Sequence, residues 1–532
     1  MAFAWLALAL PIGILVVAAL IAAWRRPALG LGILAVGLAV HNAAIMLLLD
    51  LDAPSLVVRV LQAWKEVVLV VVIARIGYRA WREGLGSWST VRFRALGRGR
   101  ARGVRLLDGL AVAFTVLILV YLVAPFVSSF GSDTTIAQRI LSFRIFILIP
   151  ILYAIGRFVG AKDRDATRWS VDLVVVAATL VAVVGLAELW FLPTRYWLDL
   201  GVTKFTALQG FDYGGPGGLP ENFFQSTTIG YGLRRMVSTY ISPLGIAYTG
   251  LLVVPMIVGG IVTVRRPSAW RWIALALVLL SIAFSVTRLA VLCLVAEAVL
   301  WVILTRRPAA IVAGALAFAA AGLAFSVYPL AGPLVRFDLS DVRPPAGAAL
   351  FFGTDVIEGP NQSPPPADPA APDIVGSIVT QQDASIQNHI LAVRDGLMHA
   401  IEHPLGIGLG STMPRFGTAT GPAESAFLGI VGETGVLGGV IFATLYGGVI
   451  VVGLIVASRF RERPWRDIAL LVGVGGIGLA PVVMTSAVWG DFSVTFLYWW
   501  AAGVAVSVLG QVDASKGGTP IPSGPPPATV TP

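Results

Sequence analysis

Cysteine is almost absent from this sequence. Cys293 stands alone among 532 residues, inside an apolar run, so neither a disulfide framework nor a thiolate metal site can be built. Histidine is scarce, at four residues, and Asp, Glu, Lys and Arg together reach only 13%. A soluble domain carries roughly 25% charged residues, which excludes a chain solvated by water over most of its surface. No internal repeat is visible, so a transporter built from duplicated halves finds no support. The opening "MAFAWLALALPIGILVVAALIAAWRR" lacks a basic n-region, and its apolar run is too long for a signal peptide. It reads as a retained first span.

Hydrophobic residues are abundant, at 57%, with a mean hydropathy of +0.84. Runs long enough to cross a hydrocarbon core of roughly 30 Å recur along the chain. Backbone in lipid must satisfy its own polar groups, so these runs are helices. The length rule places about thirteen, near 3–23, 28–49, 57–77, 107–125, 141–158, 170–192, 242–263, 271–287, 289–305, 309–330, 435–457, 468–488 and 492–510. The predicted fold is all-α and polytopic, with 12–13 transmembrane helices.

The net charge of +9 and the pI near 9.9 do not point to nucleic acid. Arginines collect in short loops, around Arg25, Arg265, Arg306 and Arg459, and most densely over 79–106, where Glu83 is the only acid. This is the asymmetry of cytoplasmic loops. It sets the N-terminus outside and the C-terminus inside, and it adds membrane lipids as a partner. The chain divides into an N-terminal bundle (1–330), a large outward loop (331–424), C-terminal spans (425–510) and a disordered cytoplasmic tail (511–532). The outward loop 193–241 is rich in aromatics, which suit either stacking on sugars or an interfacial belt. Loop 331–424 opens with a Pro-rich flap and closes with a more ordered segment. The few charges within spans are expected near the outward face, which favours a reaction site there over the charged cavity of a transporter.

Three of the four histidines lie in "NHILAVRDGLMHAIEHPLGIGLG", and His399, Glu402 and His403 fit the H-x-x-E-H pattern of a zinc helix. Pro404 follows at once, where such a helix must continue, and residues before proline leave the helical region. The stretch 385–403 reads instead as an amphipathic helix, with Ile386, Ile390, Val393, Leu397 and Ile401 at helical spacing. No metal is assigned. His41, inside the second span, reads as a core histidine served by a neighbouring helix.

The same segment carries a resemblance. "RDGLMHAIEHPLGIGLGS" followed by "ESAFLGIVGETGVLGGVIF" resembles the signature of the O-antigen ligase and O-antigen polymerase superfamily: a helix bearing an arginine, then "hPl.GvG.g", then "hN" or "eS", then "E.G..G". Upstream, "RRMVSTYISPLGIA" is similar to the family's "R..gTf.nP..la", "SVTRLAVL" to its "t.SR.a.l", and "WKEVVLVVVIARI" to its early "K..ll" span. The resemblance covers about 60–500. It implies a polytopic glycosyltransferase of the GT-C-like type in the bacterial inner membrane, with a large periplasmic loop containing short helices and a periplasmic active face. It also implies a glycan donor on polyprenyl (undecaprenyl) pyrophosphate, a sugar hydroxyl as acceptor, and neither cofactor nor metal. Other polysaccharide assembly and export proteins are expected partners, and nucleic acid is not.

Chemistry leads to the same residues. Breaking a sugar–pyrophosphate bond builds negative charge on the leaving group, and guanidinium groups stabilise it in a bidentate fork. Arg288, between two apolar runs, and Arg235, next to a span, are the candidate catalytic arginines. Arg394, Arg234, Arg415, Ser425 and Lys65 are candidate donor-binding residues, with Arg234 also read as an anchor. The acceptor hydroxyl needs a general base. Family ligases place a histidine at the "hN" element, where this chain has Glu424 and Ser425. That departure makes Glu424 the candidate base and favours a polymerase over a ligase; His389, His399 and His403 are held in reserve. Glu433 is expected to pair with or orient an arginine, or else to sit as a surface carboxylate at the interface. A transporter of lipid-linked glycan is the rival from another class.

Overall fold

The computed structural model describes residues 4–83, 98–123, 134–160, 163–209, 219–228, 231–337, 355–357, 384–412 and 425–516. The protein is an all-α, multi-pass membrane protein. Its long helices are α1 (Ala4–Arg25), α2 (Pro27–Asp50), α3 (Ser55–Glu83), α4 (Arg98–Val123), α5 (Ile136–Val159), α6 (Arg164–Phe191), α7 (Pro243–Thr263), α8 (Ala269–Phe284), α9 (Arg288–Thr305) and α10 (Pro308–Ala331). After the second long loop come α11 (Ala384–Glu402), α12 (Ala426–Arg459), α13 (Trp465–Thr485) and α14 (Phe492–Lys516).

Among the described residues, eleven helices are long and apolar enough to cross a membrane. The other two predicted spans are also helical. At 16 residues α8 is short for the hydrocarbon core, and α3 is diluted by Arg59, Lys65, Glu66, Arg75 and further charges. Caps start several of these helices. Thr135 and Gln138 form a capping box at α5, Asp163 caps α6, and Ser242 with Pro243 opens α7.

Helix α7 is wholly enclosed and forms the axis of the bundle, whereas α1 is mostly exposed along its apolar length. Exposure of Leu10, Ile14 and Leu15 needs no polar partner in lipid. Helices α5 and α14 cross at glycines. A Cβ on Gly156 would lie 2.1 Å from the Trp500 carbonyl oxygen, and one on Gly503 would lie 2.0 Å from that of Tyr153. Small residues permit this approach, and van der Waals contact then replaces the hydrophobic drive that lipid cannot supply. Gly156→Val is expected to push the pair apart and lower the thermal midpoint in detergent, at a cost of about 1–3 kcal/mol for overpacking. Gly510→Val, where a Cβ would meet nothing within 4 Å, is its control.

Two features depart from expectation. First, the long loops are not separate elements. Strands β1 (Phe224–Thr228), β2 (Tyr231–Arg234), β3 (Leu334–Phe337) and β4 (Asp355–Ile357) form one sheet in that order, with β1–β2 and β2–β3 antiparallel and β3–β4 parallel. The sheet therefore joins loop 193–241 to the start of loop 331–424. Second, charges within the helices do not gather at the arginine-poor end. Asp108 takes both an Nε (2.9 Å) and an Nη2 (2.8 Å) bond from Arg157, and Asp172 accepts from Arg271 and Arg463, each at 2.6 Å. Arg463 also reaches the fully buried Asp467 at 2.6 Å. These pairs tie α4 to α5, and α6 to α8 and the α12–α13 turn, at the arginine-rich end. They are mutually neutralised, which is how such charges persist in a bundle.

Candidate functional site

The stretch between β2 and α7 fixes two adjacent arginines in opposite directions. The backbone is pinned by Arg235 N–H to the Phe223 carbonyl (2.9 Å) and Met236 N–H to the Phe284 carbonyl (3.0 Å). Successive side chains of extended backbone point to opposite sides. Arg234 turns towards the end of α6, where Nη2 meets Glu188 Oε1 at 2.6 Å and Nη1 donates to the Leu192 carbonyl. Trp197 Nε1 (3.1 Å) and the Ser238 N–H (3.4 Å) also donate to Glu188. Both members of the pair are buried, at 4% and 3% side-chain exposure, so this guanidinium is committed to the fold. The donor-binding role considered for Arg234 gives way to the anchoring one.

Arg235 turns instead to the α8–α9 corner. Its Nε donates to the Ser285 carbonyl (2.7 Å) and its Nη2 to Thr287 Oγ1 (3.0 Å). The corner is tight, with Val286 at φ +50°, and the next helix begins with the half-buried Arg288. Among the described residues Arg235 has no carboxylate as a hydrogen-bond partner. Burial pushes its pKa down to about 10, and the positive charge of Arg288 adds to this, against Tyr248 and Tyr328. Two guanidiniums 53 positions apart in sequence thus stand within electrostatic reach at the arginine-poor end of the bundle.

Tyr248, one turn into α7, hydrogen bonds Ser486 at 2.8 Å. The Ser486 carbonyl accepts from Ala426 N–H (2.9 Å), and Ser425 caps α12 by accepting from Leu428 N–H at 3.1 Å. Ser425 also donates to the Val483 carbonyl (3.4 Å). Its hydroxyl serves the fold, and it fastens the start of α12 to the end of α13. Glu424 and Arg415 lie outside the described residues. The Pro-rich flap lies there as well.

Lys65 belongs to a neighbouring group. Its Nζ is 3.4 Å from His41 Nε2 and 5.0 Å above the Phe492 ring. Trp64 Nε1 donates to His41 Nδ1 at 3.1 Å, the service expected for a core histidine. The positive charge of Lys65 acts on Asp491, a carboxylate that the sequence reading missed. Asp491 Oδ1 accepts from Ser493 N–H (2.8 Å), and a Cβ on Gly245 would meet its Oδ2 at 2.9 Å. Burial raises its pKa, opposed by the Ser493 and Val494 amides and by Lys65. The one sequence signal was an isolated acid in the short "WGDF" turn between two spans.

The glycine signature has a structural task. Helix α12 is broken at Gly435 (φ +76°, ψ 178°), and the turn after α11 enters the break. Ile407 N–H donates to the Gly432 carbonyl (2.8 Å), Gly408 N–H to that of Glu433 (3.1 Å), and Val436 N–H to that of Pro404 (2.9 Å). Glu433 is buried here and accepts from Thr412 Oγ1 (2.7 Å), Gly410 N–H (2.9 Å) and Ser142 Oγ. Its partners are hydroxyls and an amide. Among the described residues it has no arginine partner, and it is buried away from the interface because the turn it fastens covers it.

Helix α11 ends at Glu402, ahead of Pro404. His399 and His403 lie with ring centroids 4.7 Å apart. Among the described residues no group of three or more His, Cys, Asp or Glu forms. Burial lowers the His399 pKa, His403 adds to that, and Glu402 opposes it; the His389 side chain is outside the described residues. Arg394 is exposed on α11. In loop 193–241, Trp197, Phe205, Phe223 and Phe224 are buried against Ile45, Val58 and Val335, so these four serve neither sugar stacking nor a belt. No family model matches the chain, and no curated protein matches it significantly.

Proposed function

We propose that this protein is an integral-membrane glycosyltransferase of the bacterial inner membrane. In this reading it moves a glycan from a polyprenyl pyrophosphate carrier to a sugar hydroxyl at the periplasmic face. The proposal rests on the resemblance to the O-antigen ligase and polymerase superfamily. The observation that carries it is the convergence of Arg235 and Arg288, from two separate motifs, beside Tyr248, Ser486 and the start of α12.

The chemistry follows from charge. The acceptor oxygen attacks the anomeric carbon, the bond to the pyrophosphate oxygen breaks, and the polyprenyl pyrophosphate leaves with the electron pair. Arg235 and Arg288 meet the charge that develops on it, in a setting too dry to screen them. The proton of the acceptor passes to a general base, for which Glu424 is proposed. Repeat-unit polymerisation is the first reading, on the strength of Glu424-Ser425, and ligation to lipid A core is the second.

Deleting the gene and profiling polyprenyl-linked glycans by mass spectrometry tests the class. Accumulated single repeat units are the expected result. Long chains stranded on the carrier would transfer the reading to a ligase. An unchanged lipid pool would overturn both and return a transporter to the front.

A further inference from the structure

Helix α11 has an apolar stripe that is exposed among the described residues. Ile390, Leu397, Met398 and Ile401 recur at helical spacing and are exposed, Ile401 by 73% and Ile390 by 58%. Leu391 extends the same side, and Arg394 occupies the stripe position between Ile390 and Met398. The opposite side of the helix, at the buried Gly396, packs on α12 and α13. In a water-exposed cap the polarity would be reversed.

The depth of this helix follows from its attachment. The turn after α11 is threaded into the break at Gly435, through Val436 N–H and the Pro404 carbonyl. From Gly435 to the arginine-rich end at Arg459 is 24 residues, or about 36 Å at 1.5 Å per residue. A hydrocarbon core of roughly 30 Å, reckoned from Arg459, therefore ends close to Gly435. Beside that break, Val436, Leu437 and Val440 of α12 and Leu119, Val120 and Val123 of α4 are exposed apolar residues of the spans themselves. Tyr121 of α4 donates to the Leu405 carbonyl, so the uncovered stripe of α11 continues directly into this lipid-facing surface.

We propose that α11 is an in-plane interfacial helix, with Ile390, Leu397, Met398 and Ile401 in the lipid chains and Arg394 drawn up to the phosphates of membrane phospholipids. An amphipathic helix of this kind sinks about 5–10 Å at the headgroup boundary, and a long basic side chain on its apolar face reaches back to the headgroups. Exposure and depth alone carry this placement of α11, whether or not the chain transfers glycans.

Nitroxide labels test it. Single cysteines at 395, 397, 401 and 402, in a Cys293→Ser background, are labelled and the protein is placed in phosphatidylglycerol–phosphatidylethanolamine bilayers. Power saturation then compares collisions with oxygen and with a water-soluble nickel chelate. Labels at 397 and 401 should favour oxygen several-fold, and those at 395 and 402 the chelate. Equal chelate access at all four positions would mean an aqueous cap and overturn the proposal. Shielding of 397 and 401 from both reagents would mean a protein cover and overturn it equally. Arg394→Leu should carry the label at 401 deeper; an unchanged depth would remove the anchoring role of Arg394.

Discussion

Arg235→Met is expected to leave the protein folded and to cut glycan transfer by about 10²–10³-fold, whereas Arg234→Met should unfold it. The two residues are adjacent and both are buried, so composition and hydropathy predict the same outcome for each. The difference lies in the partners. Arg234 faces Glu188 at 2.6 Å in a dry pocket, and its removal strands a carboxylate there. Breaking a buried pair from one side costs about 3–5 kcal/mol, enough to exhaust the stability of many domains. Arg234→Met/Glu188→Met should recover much of that loss, because it removes both charges together.

Arg235 has a carbonyl and a hydroxyl as partners and a second arginine as neighbour. Burial pushes its pKa down to about 10, so the fold disfavours the charge it carries. The sign follows directly. Below about pH 10 the group is charged in both folded and unfolded chains, and the destabilisation is complete. It is relieved only as pH climbs from the folded value towards the unfolded one. At neutral pH a neutral side chain of similar length should therefore match or raise the thermal midpoint. Transfer should fall by about 10²–10³-fold, the range seen when one group that stabilises a developing oxyanion is removed. Arg288→Met should show a similar loss. Wild-type product from both variants would sink the assignment of this site, whatever their stability.

Much of this arrangement can be read from residues alone, for identifiable reasons. Every predicted span proved helical, because in lipid a long apolar run has no other way to satisfy its backbone. The end of α11 before Pro404 was legible for the same kind of local reason. The partners of Arg234 and Arg235 were not, because they come from α6 and the α8–α9 corner, around 50 residues away in opposite directions. The aromatics of loop 193–241 misled because a second small core, with Ile45 and Val58 from α2 and α3, takes them in. The sheet was invisible, since β2 and β3 are about 100 residues apart and each is four residues long. Glu433 was misjudged because a carboxylate near a membrane surface normally seeks a cation. Here three hydroxyl and amide donors, brought in by a distant turn and by α5, take that place.

That turn carries the second large expectation. Gly435→Ala should cost about 3 kcal/mol or more and take transfer with it. At φ +76° and ψ 178° the backbone occupies a region essentially closed to residues with a Cβ, and such a conformation alone costs about 1–3 kcal/mol. A Cβ at Gly435 would also lie 2.6 Å from the Pro404 carbonyl oxygen, and one at Gly406 would lie 2.5 Å from Gly435 N. The two glycines face each other across the break, so neither position can yield without moving the other. Gly447 provides the control on the same helix: a Cβ there meets nothing within 4 Å, and Ala is the better helix former. Gly447→Ala should be neutral or slightly stabilising. Thermal unfolding in detergent and the rate of proteolysis at 403–412 separate the cases. Equal midpoints for the two alanine variants would show that the break at Gly435 is not a fixed element. If the turn is released while the spans survive, residues 426–434 lose the bonds from Gly410 and Thr412 to Glu433 that hold them. The start of α12, with Ser425, then loses its position beside Val483 and Ser486. Activity should therefore disappear at temperatures where the helices are still intact.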